Sequence, residues 1–411
     1  MSNERRVAIT GLGAISALGV GVPALWNGLL AARGAFRRIE RFDPSALLVP
    51  IAAEVPEFTP PALDGGQIEL LDRFSQFTLV AAAEAYENAC LTVDDAERDR
   101  AGVAVGSGFG GCVTQDDRYQ RIYGKGETRV HPFSIPRMMH SAAASHLGMV
   151  RGLRGPTLCF TTACAAAAHA IGEAGEIIRS GRADVMLAGG SDAPITFGVM
   201  RCWEAMRVLA PPGNDVTGAC RPFSRDRSGL VLGEGAGILV LESWERARGR
   251  GATILAELVG YGATADAGHI TQPGLDAPAR AITLALEQAG LQPTDVDYVN
   301  AHGTGTRLND STETEIIKRA FGAHAARLPI SSTKSVHGHA IGASAALELI
   351  AAILAIRNGV VPPTANYTEA DPECDLDYVT NEPRKMAVEV ALSNSFAFGG
   401  LNAALVVKRA D

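Results

Sequence analysis

Short runs rich in Val, Ile, Leu and Ala alternate with longer helical stretches along the chain. In the first half, the helical stretch 164–181 ends in a glycine and is followed by the strand-like run 183–190. In the second half, the helical stretch 339–359 also ends in a glycine, and the later strand-like run 390–398 is followed by paired glycines. This alternation predicts an α/β architecture in which helices pack on sheets rich in parallel strands.

The two halves of the chain resemble one another in this pattern. Each helical stretch has a potentially reactive side chain at its start, Cys164 in the first and His339 in the second, and a glycine at its C-terminal end. The repetition indicates a duplicated structural unit. No low-complexity or Ser/Gly-rich linker interrupts the chain, so we expect no hinge between independent domains.

Two apolar segments have to be distinguished from targeting or membrane sequences. The run 7–10 is followed by Gly11 and Gly13, and this pattern favours a buried strand entering a turn over a signal peptide. The segment 340–356 has about 17 residues, fewer than the roughly 20 that span a bilayer, and Glu348 lies in its middle. We therefore expect a buried helix there and no association with a membrane.

The composition excludes several classes of protein. Of the 411 residues, 47% are hydrophobic and 20% are charged, which is typical of a compact globular protein and not of a disordered or fibrous one. The net charge is −8 and no stretch concentrates Lys and Arg, so nucleic acid is not an expected partner. The seven cysteines are scattered without a CxxC pair, a pattern that favours a reduced, cytoplasmic protein.

Cys164 is the strongest candidate for a nucleophile. A thiol at a helix N-terminus faces unpaired backbone N–H groups and the positive end of the helix dipole, and both favour the thiolate. The same N–H groups are suited to hold an oxyanion during acyl transfer. The alternative is a small buried hydrophobic residue, because Cys164 lies among alanines.

Two histidines and a lysine in the second half are further candidates. His302 follows the strand-like run 296–299, at the end of a strand where open α/β sheets place their sites; the alternative is a histidine that only supports a loop. His339 lies close in sequence to Lys334 and Glu348. Burying Glu348 without a cation is costly, so Lys334 is its expected partner, although such a pair has a purely structural alternative.

Familiar metal and nucleotide motifs are missing from the sequence. His302, His337 and His339 have no carboxylate or cysteine at a familiar ligand spacing, so no metal is expected. The glycines in segments 11–13 and 106–111 complete neither a GxGxxG nor a GK[ST] motif. We expect these glycines to permit tight turns after strands.

Taken in order, Cys164, His302, Lys334 and His339 lie in motifs that resemble those of the β-ketoacyl-acyl-carrier-protein synthases, the condensing enzymes of the thiolase-like fold. The resemblance covers essentially the whole chain. It is carried by the segments RRVAITGLGAIS, TTACAAAAHAIG, RPFSRDRSGLVLGEGAG, NAHGTGT, SSTKSVHGHAIGASAALE and NSFAFGGLNAAL. The segments TRLNDSTET and GVVPPTANYTEADPECDLDYV are similar to ketosynthase subunits of type II polyketide systems, whereas NSFAFGG is more similar to elongating fatty-acid enzymes.

The resemblance implies a thiolase-like α/β fold in which two βαβαβαββ halves, residues 1–255 and 256–411, form a five-layered α-β-α-β-α core. It implies an acyltransferase that carries out a decarboxylative Claisen condensation of malonyl-acyl-carrier-protein with an acyl chain on Cys164. The substrates are carried on the phosphopantetheine of the acyl carrier protein, and no cofactor is expected to be bound. The other expected partner is a second identical chain or a related subunit.

The resemblance also implies roles for individual residues. His302 and His339 would stabilise the enolate, and the backbone N–H groups of Cys164 and Phe398 would form the oxyanion hole. A thiolase or a starter-unit enzyme would use Cys/His or His/Asn instead of two histidines, so the histidines favour elongation. Lys334 would hold the histidines in place, with three ionic partners: Asp310, Glu313 and Glu348. The implied substrate contacts are Thr304, Thr306, Phe109, Phe396 and Phe398.

The chain also departs from the family pattern. A non-catalytic, pocket-shaping heterodimer subunit of the chain-length-factor type is the alternative, but such subunits have another residue in place of Cys164. The segment 65–70 lacks the basic run that docks the carrier in bacterial fatty-acid enzymes, which leaves Arg73 and Arg207 as docking candidates. Together with the polyketide-like segments, this favours a polyketide or polyene pathway over fatty-acid elongation. Phe109 replaces a smaller aliphatic residue at the pocket floor, which predicts a shorter pocket or one shaped for a flat, unsaturated chain.

Overall fold

The strands form one large sheet and two small two-stranded sheets in the part of the chain that the structure describes. This structure is a computed structural model, and it describes residues 5–60 and 70–410. The strands are, in chain order, β1 (Val7–Ser16), β2 (Gly19–Val20), β3 (Arg37–Arg38), β4 (Ile51–Ala52), β5 (Ala101–Gly106), β6 (Thr157–Phe160), β7 (Val185–Asp192), β8 (Gly235–Ser243), β9 (Ala256–Ala265), β10 (Tyr298–Asn300), β11 (Ile330–Ser331), β12 (Val360–Val361), β13 (Arg384–Lys385), β14 (Val390–Ala397) and β15 (Leu401–Lys408).

The large sheet consists of two halves with the same strand order. The first half runs β6-β5-β7-β8-β1 and the second runs β11-β10-β14-β15-β9, while β2 pairs with β1. In each half the first two pairings are parallel and the last two are antiparallel. The halves join where Ala8 of β1 lies opposite Glu257 of β9. The repeated order confirms the duplicated fold. The boundary expected after residue 255, directly before β9, stays a prediction.

Helices fill the spaces above, between and below the two halves of the sheet. They are α1 (Val22–Leu30), α2 (Arg73–Asn88), α3 (Cys112–Tyr119), α4 (Ser134–Met138), α5 (Ala142–Arg151), α6 (Ala166–Arg179), α7 (Phe197–Ala205), α8 (Trp244–Gly249), α9 (Asp276–Ala289), α10 (Arg307–Phe321), α11 (Lys334–His337) and α12 (Ser344–Asn358). Two short 3₁₀ turns, Ala163–Ala165 and Ile341–Ala343, precede α6 and α12.

The helices and sheets form five layers. Helices α2 and α5 cover the outer face of the first half of the sheet, and α9, with α10 packed against it, covers the outer face of the second. Helices α6 and α12 lie in the middle, because each contacts the other and contacts strands of both halves. The halves read β1-α2-β5-α5-β6-α6-β7-β8 and β9-α9-β10-α10-β11-α12-β14-β15. The predicted βαβαβαββ halves and the α-β-α-β-α core are therefore confirmed.

The apolar segment near the end of the chain belongs to this middle layer. Residues 341–358 are long and apolar enough to cross a membrane, but 83% of this window is buried inside the protein. Glu348 in its middle is fully buried as well. The prediction of a buried core helix is confirmed.

Strand β1 differs from the prediction, because Gly11 and Gly13 lie within the strand and not in a turn. A Cβ at Gly13 would lie 1.8 Å from the carbonyl oxygen of Ala81, and a Cβ at Gly11 would lie 2.1 Å from that of Ala85. Both carbonyls belong to α2. The two glycines therefore let a helix pack directly on the strand, which a local turn signal does not distinguish.

Candidate active site

Cys164 lies in the 3₁₀ turn between strand β6 and helix α6. The residue before it, Ala163, has a φ of 48°, in the left-handed region that is strained for a residue with a Cβ. This backbone path brings the chain sharply from the sheet into the helix. The Cys164 side chain is 6% exposed and lines a cavity of about 320 Å³.

Burial dominates the protonation of the Cys164 thiol. Desolvation raises its pKa to about 12, whereas the nearby charge of Lys334 and the backbone N–H of Cys164 lower it only in part. The backbone N–H at the helix end lowers this pKa, as expected, but burial has the larger effect. Burial therefore favours the thiol over the thiolate, and acyl transfer to the sulfur of a thiol has to move its proton.

His339 contacts Cys164 directly, with 3.1 Å between its Nε2 and the sulfur Sγ. Its other nitrogen, Nδ1, accepts a hydrogen bond from the backbone N–H of Ile341 at 3.2 Å and lies 2.9 Å from Oγ of Ser344. Because a backbone N–H only donates, Nδ1 holds the lone pair and Nε2 holds the proton of the neutral ring. His339 therefore presents an N–H donor to the space around the sulfur.

His302 is oriented in the same way by Lys334. The Nζ atom of Lys334 lies 3.4 Å from Nδ1 of His302 and donates to the His302 carbonyl oxygen at 2.6 Å. An ammonium group only donates, so Nε2 of His302 also holds the proton. The rings of His302 and His339 lie edge to face with 5.5 Å between their centroids. Burial, and then the charge of Lys334, lower the pKa of both imidazoles well below the usual value, so both rings are neutral at pH 7.

Lys334 is fully buried and forms an ion pair with Glu348 of α12. A buried cation needs such a partner, because the desolvation of an unpaired charge is expensive. This pair was expected from the sequence. The structure corrects the prediction that Asp310 and Glu313 are further ionic partners of Lys334, since neither carboxylate forms an ion pair with it within the described residues.

Asp310 and Glu313 lie on α10 and hold the backbone of the loop that carries His302. Glu313 accepts hydrogen bonds from the N–H groups of His302 and Gly303, each at 2.7 Å. Asp310 lies 3.7 Å from the guanidinium of Arg227. Desolvation raises the pKa of both carboxyl groups, to about 7 for Glu313. Both residues lie in the first two turns of the helix that follows this loop, and their carboxylates accept hydrogen bonds from its backbone.

The cavity above Cys164 contains four of the predicted substrate contacts. Thr304 and Thr306 line it with their hydroxyl oxygens 2.9 Å apart, and Phe396 lines it with its ring 6.1 Å from that of His302. Phe398 completes this group at the cavity mouth. Apolar walls with a few hydroxyl groups suit a chain that is mostly hydrocarbon and carries amide or thioester groups.

Phe398 lies in the turn between β14 and β15. Its side chain is 37% exposed, and its ring centroid lies 6.0 Å from that of Trp203. The hydrogen bonds of this turn use the N–H groups of Gly399, which donates to Ile270 at 2.7 Å, and Gly400. Within the described part of the chain, the Phe398 N–H has no acceptor, so it remains available as a donor.

Phe109 lies in a second cavity, of about 380 Å³, and not in the one that contains Cys164. The two cavities share Trp203, Met206 and Phe398 as walls. Phe109 therefore lies in a cavity that adjoins the one containing Cys164. Its role as the floor of an acyl pocket stays a prediction.

Asp192 at the end of β7 was missed in the sequence. Its buried carboxylate accepts hydrogen bonds from the Ser107 hydroxyl at 2.7 Å and from the N–H groups of Gly108, Phe109 and Gly342 at 2.7, 3.0 and 2.7 Å. It thereby joins the loop after β5 to the turn before α12. An acidic residue at the C-terminal end of a buried strand is the signal that identifies such a position.

The side-chain ligand atoms of Cys164, His302 and His339 lie within 4.8 Å of one another, a spacing that also suits a soft metal ion. In the hydrogen-bonded arrangement, however, both Nε2 atoms hold protons, and the lone pairs face Lys334 and Ile341. A metal ligand needs its lone pair turned to the ion. The site therefore favours hydrogen-bond donation to a substrate oxygen over metal binding.

The candidates for docking a carrier protein differ in their surroundings. The residues 65–69 of the segment without basic side chains lie outside the described residues. Arg73 is held by the buried Glu234 at 2.6 Å and its side chain is only 19% exposed, which makes it unsuited to docking. Arg207 is exposed beside Met206, which lines the cavity above Cys164, and within the described ranges it forms no ion pair.

Comparison with protein families covers most of the chain. Residues 4–247 match the description "Beta-ketoacyl synthase, N-terminal domain", and residues 255–368 match "Beta-ketoacyl synthase, C-terminal domain". The chain belongs to the β-ketoacyl synthase family. The resemblance recognised in the sequence motifs is confirmed.

Relatives of this β-ketoacyl synthase bear different names. It is 49% identical over 406 residues to nodulation protein E from Rhizobium sp. (strain N33), with 99% of this chain and 100% of the relative covered. It is 43% identical over 412 residues to 3-oxoacyl-[acyl-carrier-protein] synthase 2 from Staphylococcus aureus (strain N315), with 100% and 99% covered. Among solved structures, the complex of a type II polyketide acyl carrier protein with its ketosynthase, AntDE:AntF, matches with a TM-score of 0.91, 35% identity and 100% of both chains covered.

These similarities make the protein a condensing acyltransferase of the ketosynthase type. They extend over 99% of the Staphylococcus aureus relative and 100% of the matched ketosynthase chain. The non-catalytic alternative is not favoured. A non-catalytic subunit does not require a thiol at this position. The Cys164 sulfur, however, lies within 4.8 Å of a ring nitrogen of both His302 and His339.

Proposed function

We propose that this β-ketoacyl synthase joins an acyl group on Cys164 to a malonyl unit with loss of CO₂, while both substrates arrive on the phosphopantetheine of an acyl carrier protein. The observation that carries the proposal is the pair of Nε2–H donors of His302 and His339 beside the Cys164 sulfur. A developing enolate oxygen needs donors of this kind in a site closed to bulk water. Intact-protein mass tests the proposal: an acyl adduct should form and then leave as a chain two carbons longer.

The first step transfers the acyl group to Cys164. The sulfur attacks the thioester carbonyl carbon, the bond from that carbon to the pantetheine sulfur breaks, and the thiol proton passes to the departing sulfur. Because this proton is only exchanged between two sulfurs, the high pKa of the Cys164 thiol requires no separate base overall. The N–H groups of Cys164 and Phe398 hold the oxyanion that forms, and Thr304 and Thr306 bind the pantetheine arm.

The second step uses the two histidines. The electron pair of the bond from the malonyl Cα to its carboxylate forms an enolate as CO₂ leaves, and the Nε2–H groups of His302 and His339 donate to the enolate oxygen. The carbanion then attacks the acyl carbonyl carbon, the bond to the Cys164 sulfur breaks, and this sulfur takes up one proton. Lys334 acts as a positioning residue, because its ammonium group keeps Nδ1 of His302 an acceptor.

Decarboxylation by the acylated enzyme should show no change in rate between about pH 6 and 8. Burial lowers the pKa of His302 and His339 well below the usual value, so the loss of activity that follows their protonation lies at still lower pH. CO₂ release from malonyl carrier in a single turnover, started from enzyme already acylated on Cys164, measures this step without the thiol titration. A fall in rate with a midpoint near the usual imidazole pKa would contradict the neutral, buried rings.

Shortening Phe109 to alanine should shift the acyl-length profile toward longer chains, because its ring lines the second cavity behind Phe398. Intact mass after incubation with a length series of acyl carriers reports which chains load onto Cys164. Phe58→Ala is the matched control, since Phe58 packs against Phe77 away from both cavities. An unchanged profile in Phe109→Ala would remove Phe109 from the pocket.

We also propose a dimer, formed with an identical chain or a related subunit. Strand β6 is a terminal strand of the large sheet as described, and Leu158 on it is 38% exposed, which suits pairing with a second chain.

The acyl carrier protein is the other partner, with Arg207 as a docking candidate. The names of the relatives favour a specialised acyl or polyketide pathway, and the unpaired cysteines favour the cytoplasm. Sedimentation of the purified chain, alone and with its carrier, tests both assemblies.

A further inference from the structure

The second cavity lies between two helical faces. It adjoins the cavity that contains Cys164, and Trp203, Met206 and Phe398 form walls of both. The lining residues from α3 recur at the spacing i, i+3, i+4 and i+7, and so do those from α7 and the residue after it. They are Cys112, Gln115, Asp116 and Tyr119 on one side and Val199, Cys202, Trp203 and Met206 on the other.

Asp116 is the single acidic residue among the described residues that line this cavity. Its Oδ2 accepts a hydrogen bond from Nε2 of Gln120 at 2.9 Å, and its carboxylate also accepts from the backbone N–H of Gly198 in the first turn of α7. A Cβ at Gly198 would lie 2.8 Å from Oδ1 of Asp116, so only glycine lets the carboxylate approach the helix end this closely. These contacts hold the carboxylate in one orientation and leave each oxygen with capacity to accept a further hydrogen bond.

The remainder of the cavity is suited to hydrocarbon. Phe109, Val199 and Trp203 supply aromatic and aliphatic surface that binds the stem of an acyl chain. A methyl end packed against Asp116 would displace water from the carboxylate without replacing its hydrogen bonds, which is unfavourable. A hydroxyl group at the same point would donate to the carboxylate and replace the lost water, and hydrogen bonds to charged acceptors are the strong ones. Partial burial already raises the pKa of Asp116, which shows that its charge is sensitive to further loss of water.

We propose that the second cavity binds the distal part of the acyl chain and that Asp116 selects chains whose distal end bears a hydroxyl group over unsubstituted chains of the same length. The inference rests on the proposed function, because the chain reaches this cavity from its thioester on Cys164. Asp116 is then a specificity-determining residue that contacts the substrate far from the reacting carbon atoms. Neither the family motifs nor the catalytic geometry requires an acid at this position.

The test compares two acyl carriers of equal chain length, one with a distal hydroxyl group and one without. The ratio of their kcat/KM values for elongation is measured in wild type, Asp116→Asn and Asp116→Leu. Wild type should prefer the hydroxylated chain by about tenfold. Asp116→Asn, which keeps the shape and an acceptor for Gly198, should bring the ratio closer to one, and Asp116→Leu should reverse it. Asp117→Leu is the matched control, since Asp117 pairs with Arg121 and does not line the cavity, and it should keep the wild-type ratio.

The outcomes separate this inference from the proposed function. If wild type elongates both chains but shows no preference, or if Asp116→Asn and Asp116→Leu both keep the wild-type ratio, Asp116 does not select the substrate although the condensing reaction stands. If wild type elongates neither chain and forms no adduct on Cys164, the proposed function fails and the inference fails with it. Thermal melting of the variants, together with their elongation of the unsubstituted chain, shows that a changed ratio does not come from a damaged fold.

Discussion

Replacement of Cys164 by alanine is expected to abolish the acyl adduct and to reduce chain elongation by about a thousandfold or more. The thiol is the nucleophile that forms the thioester in the proposed reaction, and the neighbouring imidazoles present N–H donors and are not suited to attack a carbonyl. Intact-protein mass is recorded after addition of an acyl carrier and again after addition of malonyl carrier. Wild type should gain the mass of one acyl group and then lose it, whereas Cys164→Ala should show neither change.

Cys90→Ala is the matched control for this experiment, because Cys90 is an exposed cysteine outside both cavities. It should load and elongate as wild type does. If Cys164→Ala supports the same output as wild type when a related subunit is present, the chain acts as a pocket-shaping subunit and the proposed mechanism is wrong. An adduct that persists in Cys164→Ala would place the nucleophile at another residue.

Replacement of Lys334 by methionine should lower the free energy of unfolding by about 3–5 kcal/mol and should also stop efficient elongation. Lys334 is fully buried, so its removal leaves the Glu348 carboxylate buried without a cation. The same change removes the donor that keeps Nδ1 of His302 an acceptor. Denaturant unfolding measures the first effect, and single-turnover decarboxylation measures the second.

Stability and positioning are separated by the double variant Lys334→Met/Glu348→Gln. Without the buried charge, it should recover most of the lost stability, but decarboxylation should stay slow because His302 is no longer oriented. Removal of the Lys334 charge should also raise the pKa of His302, so the acid side of the pH profile should move toward neutral pH. Lys318→Met is the control, since the solvent-accessible pairs of Lys318 with Glu315 and Asp375 contribute at most about 1 kcal/mol each. Full recovery of decarboxylation in the double variant would reduce Lys334 to a purely structural role.

The parts of the site that lie in recognisable motifs could be predicted from the sequence. Cys164 was predicted at the start of a helical stretch and lies in the 3₁₀ turn directly before α6. His339 was expected at the equivalent position of the second half, but it lies before the 3₁₀ turn Ile341–Ala343, in which Gly342 is the equivalent of Cys164. Lys334 was paired with Glu348 because a buried carboxylate in an apolar helix needs a cation. The structure brings all four together with His302, which a motif identifies but spacing alone does not. These features could be predicted because a helix start and a charged residue within an apolar run can both be recognised from the neighbouring residues in the sequence.

Side-chain partners, burial and the packing of helices on strands depend on contacts between residues that are distant in sequence, and these could not be predicted. The partners of Asp310 and Glu313 could not be predicted, since α10 turns both carboxylates to the loop before it and not to Lys334. The protonation of Cys164 depends on how completely the neighbouring layers exclude water. The glycines of β1 were assigned to a turn because the close approach of α2 has no local signature.

The two halves of the fold use their equivalent helix ends differently. Ala163 and Ile341 open the equivalent 3₁₀ turns before α6 and α12, with φ values of 48° and 47°. The next residue is Cys164 in the first half and Gly342 in the second, and the N–H of Gly342 donates to the carboxylate of Asp192 at 2.7 Å. An internal carboxylate thus occupies the helix end of the second copy, as an acyl oxygen is proposed to occupy that of the first. The helix end of the first half is thus available to a substrate, whereas that of the second half is already occupied and serves to join the end of β7 to the turn before α12.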